Sequence, residues 1–76
     1  MSTLSEIEAI VRDELDRDDV VLGPETTAKD VDGWDSLTNI RIMVAIERRF
    51  RVRFSVMEVT EIPNIGELVK VVEARA

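Results

Sequence analysis

The stretch DGWDSLTNIRIMVAIERRF, residues 32–50, contains the element on which the fold of this chain depends. Asp35 is a favourable helix N-cap, because its carboxylate can accept a hydrogen bond from a free backbone N–H of the first turn. From Ser36 onward, apolar residues recur at helical spacing as far as Arg49 or Phe50. We therefore predict a helix from Ser36 to about residue 50, with Asp35 as its cap.

This second helix of the chain has apolar residues on two sides. At 100° per residue, one group comprises Ile42, Met43, Ile46 and Phe50, and the other comprises Leu37, Ile40 and Val44. A helix that is apolar all round is usually buried all round, which is one explanation. However, Arg41 and Arg48 project within the second group and Glu47 flanks it, and unpaired charges are rarely buried. We favour an exposed docking surface, named here the second-helix strip: Leu37, Ile40, Arg41, Val44, Glu47 and Arg48.

A first helix is predicted ahead of this element. Apolar residues at helical spacing run from Leu4 to Leu15, and the pattern fails after Arg17. Thr3 and Glu6 have the spacing of a capping box, so we expect the helix to begin there.

The segment from Asp18 to Asp35 has no sustained period, and we interpret it as a long ordered loop. A loop of that length inside a small domain needs anchors. The candidates are its scattered apolar residues Val20, Val21, Leu22 and Val31.

Two further helices are predicted after residue 50. Ser55 with Glu58 forms a capping box that opens a short helix through Val59. Asn64 with Glu67 has the same spacing, and the last helix contains Ile65, Leu68, Val69 and Val72. Residues 51–54 alternate in polarity but have no second strand to pair with. The prediction is an all-α fold, residues 1–76 as a single domain: a four-helix bundle of three long helices and one short, with a long first loop.

Composition excludes several functions. The chain has no cysteine and no histidine, so disulfides, thiolate zinc sites and imidazole catalysis are not available to it. Its net charge of −6 repels nucleic acid, and no nucleic-acid motif accompanies the arginines of residues 41–53. The longest apolar run, Ile42 to Ile46, is too short to span a membrane. No signal-peptide pattern opens the chain, so we expect a cytoplasmic location.

Ser36 has two interpretations that the residues alone leave open. It could cap the second helix itself, a role that contributes about 1 kcal/mol. If Asp35 is the cap instead, Ser36 occupies the first helical position with a free hydroxyl, where the helix dipole and free amides favour an attached phosphate. Nucleophilic catalysis by Ser36 has no support, because histidine and a Gly-x-Ser-x-Gly motif are both absent. We predict no catalytic residues.

A calcium loop is a rival interpretation of Asp30, Asp32 and Asp35. An EF-hand that started at Asp30 would need glycine at its sixth position and glutamate at its twelfth, where this chain has Asp35 and Arg41. We therefore predict no specific metal site, although weak binding of divalent ions to the acidic loops stays open.

The string Asp32-Gly33-Trp34-Asp35-Ser36-Leu37, followed by a helix that ends in Glu47-Arg48-Arg49-Phe50, resembles the acyl carrier protein family, and the similarity extends over nearly the whole chain. The resemblance implies that Ser36 carries a 4'-phosphopantetheine arm, attached from coenzyme A by a phosphopantetheinyl transferase. The thiol of such an arm holds acyl or aminoacyl groups as thioesters. Asp35 and Leu37 match the flanks of the motif, as cap and as part of the surface that faces the transferase.

The resemblance also has implications for partners and cargo. The second-helix strip matches the side on which such carriers, working as monomers, dock acyl-loading and acyl-processing enzymes. Carriers of fatty acid synthesis typically have an acidic second helix, whereas this chain has Arg41 and Arg48, so we expect a specialised pathway. Trp34 is expected to anchor the loop to the bundle. A long acyl chain would enter between helices lined by Ile46, Phe50, Phe54, Val59, Ile62 and Leu68. The alternative function is a small helical adaptor that binds a partner through its second helix.

Overall fold

Helix boundaries in this chain are set by short polar side chains. The computed structural model describes residues 2–76 and contains four α-helices: α1 Thr3–Leu15, α2 Ser36–Phe50, α3 Val56–Glu61 and α4 Ile65–Arg75. Each has a cap that accepts from a first-turn amide: Ser2, Asp35, Ser55 and Asn64. The predicted all-α fold, with three long helices and one short, is confirmed, and no strand occurs within residues 2–76.

The predicted start of α1 is wrong by one residue. Ser2 is the cap, and its hydroxyl accepts from the backbone N–H of Ser5 at 3.1 Å. Thr3 is the first helical residue, and Glu6 does not reach back to cap it. The Glu6 carboxylate instead accepts from the Arg49 guanidinium at 2.6 Å, which ties α1 to the end of α2. The Glu6 carboxylate is therefore engaged in an ion pair between two helices and is not available for the predicted capping box.

The core lies where α1, α2 and α4 meet. Its fully buried side chains are Ile7, Val11, Ile42, Ile46 and Val72. Helix α1 packs against α2 and α4, and α3 packs against α2. The side of α2 predicted to face the core, with Ile42, Met43 and Ile46, is buried as expected.

Helix α2 ends in a left-handed residue that is not glycine. Arg51 has φ 57°, and the next amide, that of Val52, donates back to the Glu47 carbonyl at 3.1 Å. This reversal buries Val52 against the bundle. Residues 51–54 are thus an irregular connection between α2 and α3, as the lack of a pairing strand indicated.

The long first loop is held to the bundle at several points. Val20 and Leu22 are buried and Val31 packs against the core, whereas Val21, also predicted as an anchor, is exposed because the extended chain alternates its side chains. Arg12 Nε donates to the Val20 carbonyl at 2.7 Å. A short 3₁₀ turn at Ala28–Asp30 interrupts the segment predicted to be a loop and lies just before the start of α2.

Candidate functional site

Asp35 is the residue that caps α2. Its backbone is extended, with φ −98° and ψ −174°, and its Oδ1 accepts from the Thr38 backbone N–H at 2.8 Å. That hydrogen bond lowers the pKa of the Asp35 carboxyl below its ordinary value of 3.8. Of the two residues that the sequence left open as the cap of α2, Asp35 is the one that caps it.

Ser36 is consequently the first helical residue, and its side chain has no structural task within the described residues. The residue is exposed. Its hydroxyl takes part in none of the hydrogen bonds that the structure shows among residues 2–76. The first amides of a helix have no intrahelical partner, and they and the helix dipole favour an anion at this end. An exposed hydroxyl here can accept a phosphodiester without breaking any contact of the fold.

An open groove of about 560 Å³ adjoins Ser36. It lies between the 3₁₀ turn, the first half of α2 and the end of α3, and we call it the outer groove. Its lining residues are Ala28, Lys29, Trp34, Asp35, Ser36, Asn39, Ile40, Val59 and Thr60. Lys29 brings a positive charge to the groove, while Trp34, Ile40 and Val59 give it apolar walls. The groove thus combines a charged side chain with apolar walls directly beside the Ser36 hydroxyl.

Trp34 anchors the loop to the bundle, as predicted. Its ring is half-buried against the core, and its Nε1 donates to Asn39 Oδ1 at 2.9 Å. The Asn39 Nδ2 in turn donates to the Val59 carbonyl at 2.9 Å. One amide side chain thereby joins the loop, α2 and α3. In the sequence, the only signal for Asn39 is that it is a polar residue between the two apolar sides of α2.

Behind the outer groove is a smaller cavity of about 110 Å³, named here the inner pocket. Its walls include Met43, Val59, Ile62 and Leu68. Of the residues predicted to line the path of an acyl chain, Val59, Ile62 and Leu68 line this cavity.

The other three residues predicted to line that cavity do not do so. Ile46 is fully buried in the core, and Phe50 and Phe54 pack against the core. These three side chains are part of the core or pack against it, and they do not line the inner pocket.

The second-helix strip is exposed, as its charges indicated. Leu37, Ile40 and Val44 are 59%, 53% and 38% exposed, and Arg41 and Arg48 are exposed beside them. The strip begins immediately after Ser36 on the same helix. It forms a continuous face from the candidate site toward the end of α2.

Glu47 departs from the role predicted for it. It is half-buried, and its Oε2 accepts from the Phe54 backbone N–H at 2.8 Å. Its carboxylate therefore holds the connection after α2 and is less available to a partner than the arginines are.

Two exposed apolar residues of α3 were not selected from the sequence. Val56 is 82% exposed and Met57 is 65% exposed. The capping box at Ser55 places both in the first turn of α3, which was the available signal. They add apolar surface to α3, which packs against α2.

No group of three or more acidic side chains within residues 2–76 is arranged to hold a metal ion. Asp30 is engaged locally, because its carboxylate accepts from the Thr27 backbone N–H at 2.9 Å. Asp35 is engaged in capping α2. In the same described part of the chain, no helix is both long and apolar enough to cross a membrane.

Comparisons with known proteins agree on one family. The sequence matches the family described as "Phosphopantetheine attachment site" over residues 5–72. The chain is 32% identical over 74 residues to an acyl carrier protein of Helicobacter pylori strain 26695, with 96% of this chain and 94% of that protein covered. The acyl carrier protein of strain G27 is 31% identical over the same coverage. The fold is similar to that of a holo acyl carrier protein from Geobacter metallireducens, with a TM-score of 0.88, 35% identity, and coverage of 99% of this chain and 86% of that one.

Proposed function

This chain belongs to the acyl carrier protein family, and from that premise we propose that Ser36 is the residue to which its 4'-phosphopantetheine arm is attached. As a family member it is a carrier with a covalent prosthetic group and not a catalyst. The observation that carries the assignment to Ser36 is its exposed hydroxyl at the first helical position, which is free because Asp35 caps α2. Residues 1–76 act together as one carrier domain.

The residues around Ser36 have distinct tasks in this proposal. Asp35 fixes the first turn of α2, so the Ser36 hydroxyl is presented outward to a phosphopantetheinyl transferase. In the transfer, the Ser36 oxygen forms a bond to the phosphorus next to pantetheine in coenzyme A. The bond between that phosphorus and the oxygen that bridges it to the second phosphorus breaks, adenosine 3',5'-bisphosphate leaves with the bridging oxygen, and the hydroxyl proton passes to a base of the transferase. The attached arm supplies a thiol that holds acyl groups as thioesters, and this chain has no cysteine to compete with that thiol.

Intact mass spectrometry tests the assignment. The wild type, Ser36→Ala and Ser55→Ala are incubated with coenzyme A and a promiscuous phosphopantetheinyl transferase. We expect the wild type and Ser55→Ala to gain the mass of one phosphopantetheine group and Ser36→Ala to gain nothing. Ser55 is a matched control because it is also a serine at the start of a helix, but its hydroxyl accepts from the Glu58 amide. No gain in a folded wild type would contradict the proposal and favour the adaptor function.

We further propose that the second-helix strip is the docking surface for the transferase and for acyl-loading and acyl-processing enzymes, with the carrier acting as a monomer. Its support is an apolar surface, Leu37, Ile40 and Val44, that is exposed directly beside Ser36. Arg41 and Arg48 give its rim a positive charge in a chain whose net charge is −6. Opposite charges at a docking rim change encounter rates and partner choice more than they change the fold.

The positive rim supports a specialised pathway over housekeeping fatty acid synthesis. Partners built for an acidic second helix would be repelled by Arg41 and Arg48, so loading by a housekeeping malonyl transferase should be slow. The test compares the holo forms of the wild type, Arg41→Glu, Arg41→Glu/Arg48→Glu and Lys70→Glu. We expect kcat/KM for malonyl loading to rise about tenfold or more in the double variant and less in the single variant. Lys70→Glu makes the same change of charge as Arg41→Glu on the exposed side of α4, so it should have little effect. Efficient loading of the wild type that is unchanged in the double variant would contradict the proposal.

A further inference from the structure

The outer groove and the inner pocket are neighbours that one hydrogen-bonded bridge separates. Both are lined by Trp34, Asn39 and Val59. The bridge runs from the indole N–H of Trp34 to Asn39 Oδ1 and from Asn39 Nδ2 to the Val59 carbonyl, each at 2.9 Å. It spans the passage between the loop, α2 and α3. A group that enters the inner pocket from the side of Ser36 has to pass it.

The inner pocket is too small for a long hydrocarbon chain. Its volume is about 110 Å³. An apolar cavity of about 150 Å³ holds one benzene ring, so by proportion this pocket accommodates about four or five carbon atoms. Its wall also contains polar side chains, Thr26, Asn39, Thr60 and Asn64, which a long alkyl chain would separate from their partners.

Opening the passage has a defined chemical consequence. Both hydrogen bonds of Asn39 would break, leaving the Trp34 N–H, the Asn39 amide and the Val59 carbonyl without partners in a half-buried environment. An alkyl chain has no donor or acceptor to replace them. A short group that fits the inner pocket lies beyond the bridge and leaves the polar thioester end of the arm in the passage, whereas a longer chain fills the pocket and leaves its own methylene groups there. The bridge therefore resists a long chain more than a short one.

We propose that the Asn39 bridge sets the chain length of the cargo, so that the carrier shelters short acyl groups of about four or five carbons and leaves longer chains outside the inner pocket. The proposal rests on the attachment of the arm at Ser36. Asn39 is in this view a specificity-determining residue. The chemical class of cargo that follows is a short acyl group.

The test uses two routes of attachment. In the first, a phosphopantetheinyl transferase loads four-carbon and twelve-carbon acyl groups from their coenzyme A thioesters onto the wild type, Asn39→Ala, Trp34→Phe and Thr60→Ala. In the second, Ser36→Cys versions of the same four chains are alkylated with iodoacetamides that carry matched alkyl chains on a pantetheine-length spacer. Because the chain has no other cysteine, this label goes to a single site without any transferase. Failure of the first route with success of the second would reject Ser36 as the natural attachment point and still test the bridge.

Two measurements follow. One is the thermal midpoint by circular dichroism, and the other is contact between the terminal methyl group of the chain and the side chains of Met43 and Leu68 by NMR. In the wild type we expect the methyl group of the four-carbon chain to contact both residues and that of the twelve-carbon chain to contact neither. The thermal midpoint of the twelve-carbon form should be no higher than that of the four-carbon form. In Asn39→Ala and Trp34→Phe, the twelve-carbon methyl should reach Leu68, and the midpoint should rise by about 4 °C or more from four to twelve carbons.

The variants are chosen to keep the test decisive. Trp34→Phe keeps an aromatic side chain while it removes the N–H donor and part of the ring volume, so it serves if Asn39→Ala does not fold. Thr60→Ala removes a polar group from both cavities but leaves the bridge intact, because the Thr60 hydroxyl bonds within its own helix to the Met57 carbonyl at 3.2 Å. It should behave as the wild type does. Contact of the twelve-carbon methyl with Leu68 in the wild type, or identical results for all three variants, would overturn the proposal.

Discussion

Asp35 and Ser36 are adjacent residues of similar capping ability, and the structure gives them different tasks. Asp35 accepts from the Thr38 amide, and Ser36 is left with an exposed hydroxyl at the first helical position. A shift of the helix start by one residue would bring the Ser36 hydroxyl into the capping bond and remove it from solvent. The proposed attachment site therefore depends on a single hydrogen bond of its neighbour.

Glu58 is a second residue whose environment has a measurable consequence. It accepts from the Arg75 guanidinium at the end of α4 and from the Ser55 backbone N–H at 2.9 Å. These contacts, that of Arg75 first, lower the pKa of Glu58 from 4.5 to about 2. A carboxyl whose pKa is lower in the folded state stabilises the fold above the pKa of the unfolded chain. The stabilisation is lost as the pH falls from about 4.5 toward 2.

We predict that Glu58→Gln is less stable than the wild type at neutral pH and that the difference shrinks as the pH falls from 4.5 to 2. Glutamine keeps an oxygen that can accept from the Ser55 amide, so the change acts mainly on the ion pair. Urea unfolding at a series of pH values measures the difference in the free energy of unfolding between Glu58→Gln and the wild type. Glu61→Gln is the control, since Glu61 is exposed on the same helix. A difference for Glu58→Gln that does not vary with pH would contradict the assignment.

At the scale of the element, α2 serves two purposes with opposite sides. Ile42 is fully buried between helices, and Ile40, two residues earlier, is 53% exposed on the strip beside Ser36. The two isoleucines have equal intrinsic hydrophobicity, and only the direction in which each projects decides which one stabilises the fold. This arrangement explains why a short chain places apolar residues all round one helix.

We predict that Ile42→Ala lowers the free energy of unfolding by about 2–5 kcal/mol, because it removes buried methylene groups and leaves a cavity. Ile40→Ala is the matched control on the same helix and should change it by about 0.5 kcal/mol or less. Urea unfolding monitored by circular dichroism measures both, and Ile42→Val, with an expected loss of about 1 kcal/mol, serves if Ile42→Ala is unfolded. Equal losses for the two alanine variants would show that the strip is not a free surface.

At the scale of the whole molecule, the long loop is closed onto α4, far from it in sequence. The Gly66 N–H donates to the Pro24 carbonyl at 2.8 Å, and the Ile65 N–H donates to the Thr26 carbonyl at 2.9 Å. A Cβ on Gly66 would lie 2.9 Å from the Pro24 oxygen, which is closer than carbon and backbone oxygen tolerate. The absence of a side chain at residue 66 allows the loop to reach the last helix.

We predict that Gly66→Ala lowers the free energy of unfolding, because the strain of about 1–3 kcal/mol exceeds the gain in helix propensity, at most about 1 kcal/mol at this first-turn position. Gly23→Ala is the control, since a Cβ there would make only an ordinary contact, 3.7 Å from Thr26 Oγ1. It should be neutral or slightly stabilising. Amide exchange of Ile65 and residue 66 shows whether the loop has detached, and protection equal to that of the wild type would contradict the prediction.

Local signals in the sequence were sufficient for most of the fold. Caps and apolar spacing predicted all four helices, because a cap and the amide it satisfies lie within one turn of each other. The two sides of α2 followed from the same spacing together with the charges of Arg41 and Arg48. For Asp35 and Ser36, by contrast, the sequence left two caps open.

The features that the sequence could not supply are contacts between elements. The Glu6–Arg49 pair engages the carboxylate that the predicted capping box of α1 required, Phe50 packs against the core, and the Asn39 bridge joins three separate elements. Helix spacing is a property of neighbouring residues, so the sequence by itself determined the helices, the exposed strip and the family. Which hydroxyl is free and what the pocket admits depend on residues brought together from distant parts of the chain, and only the tertiary structure decided them.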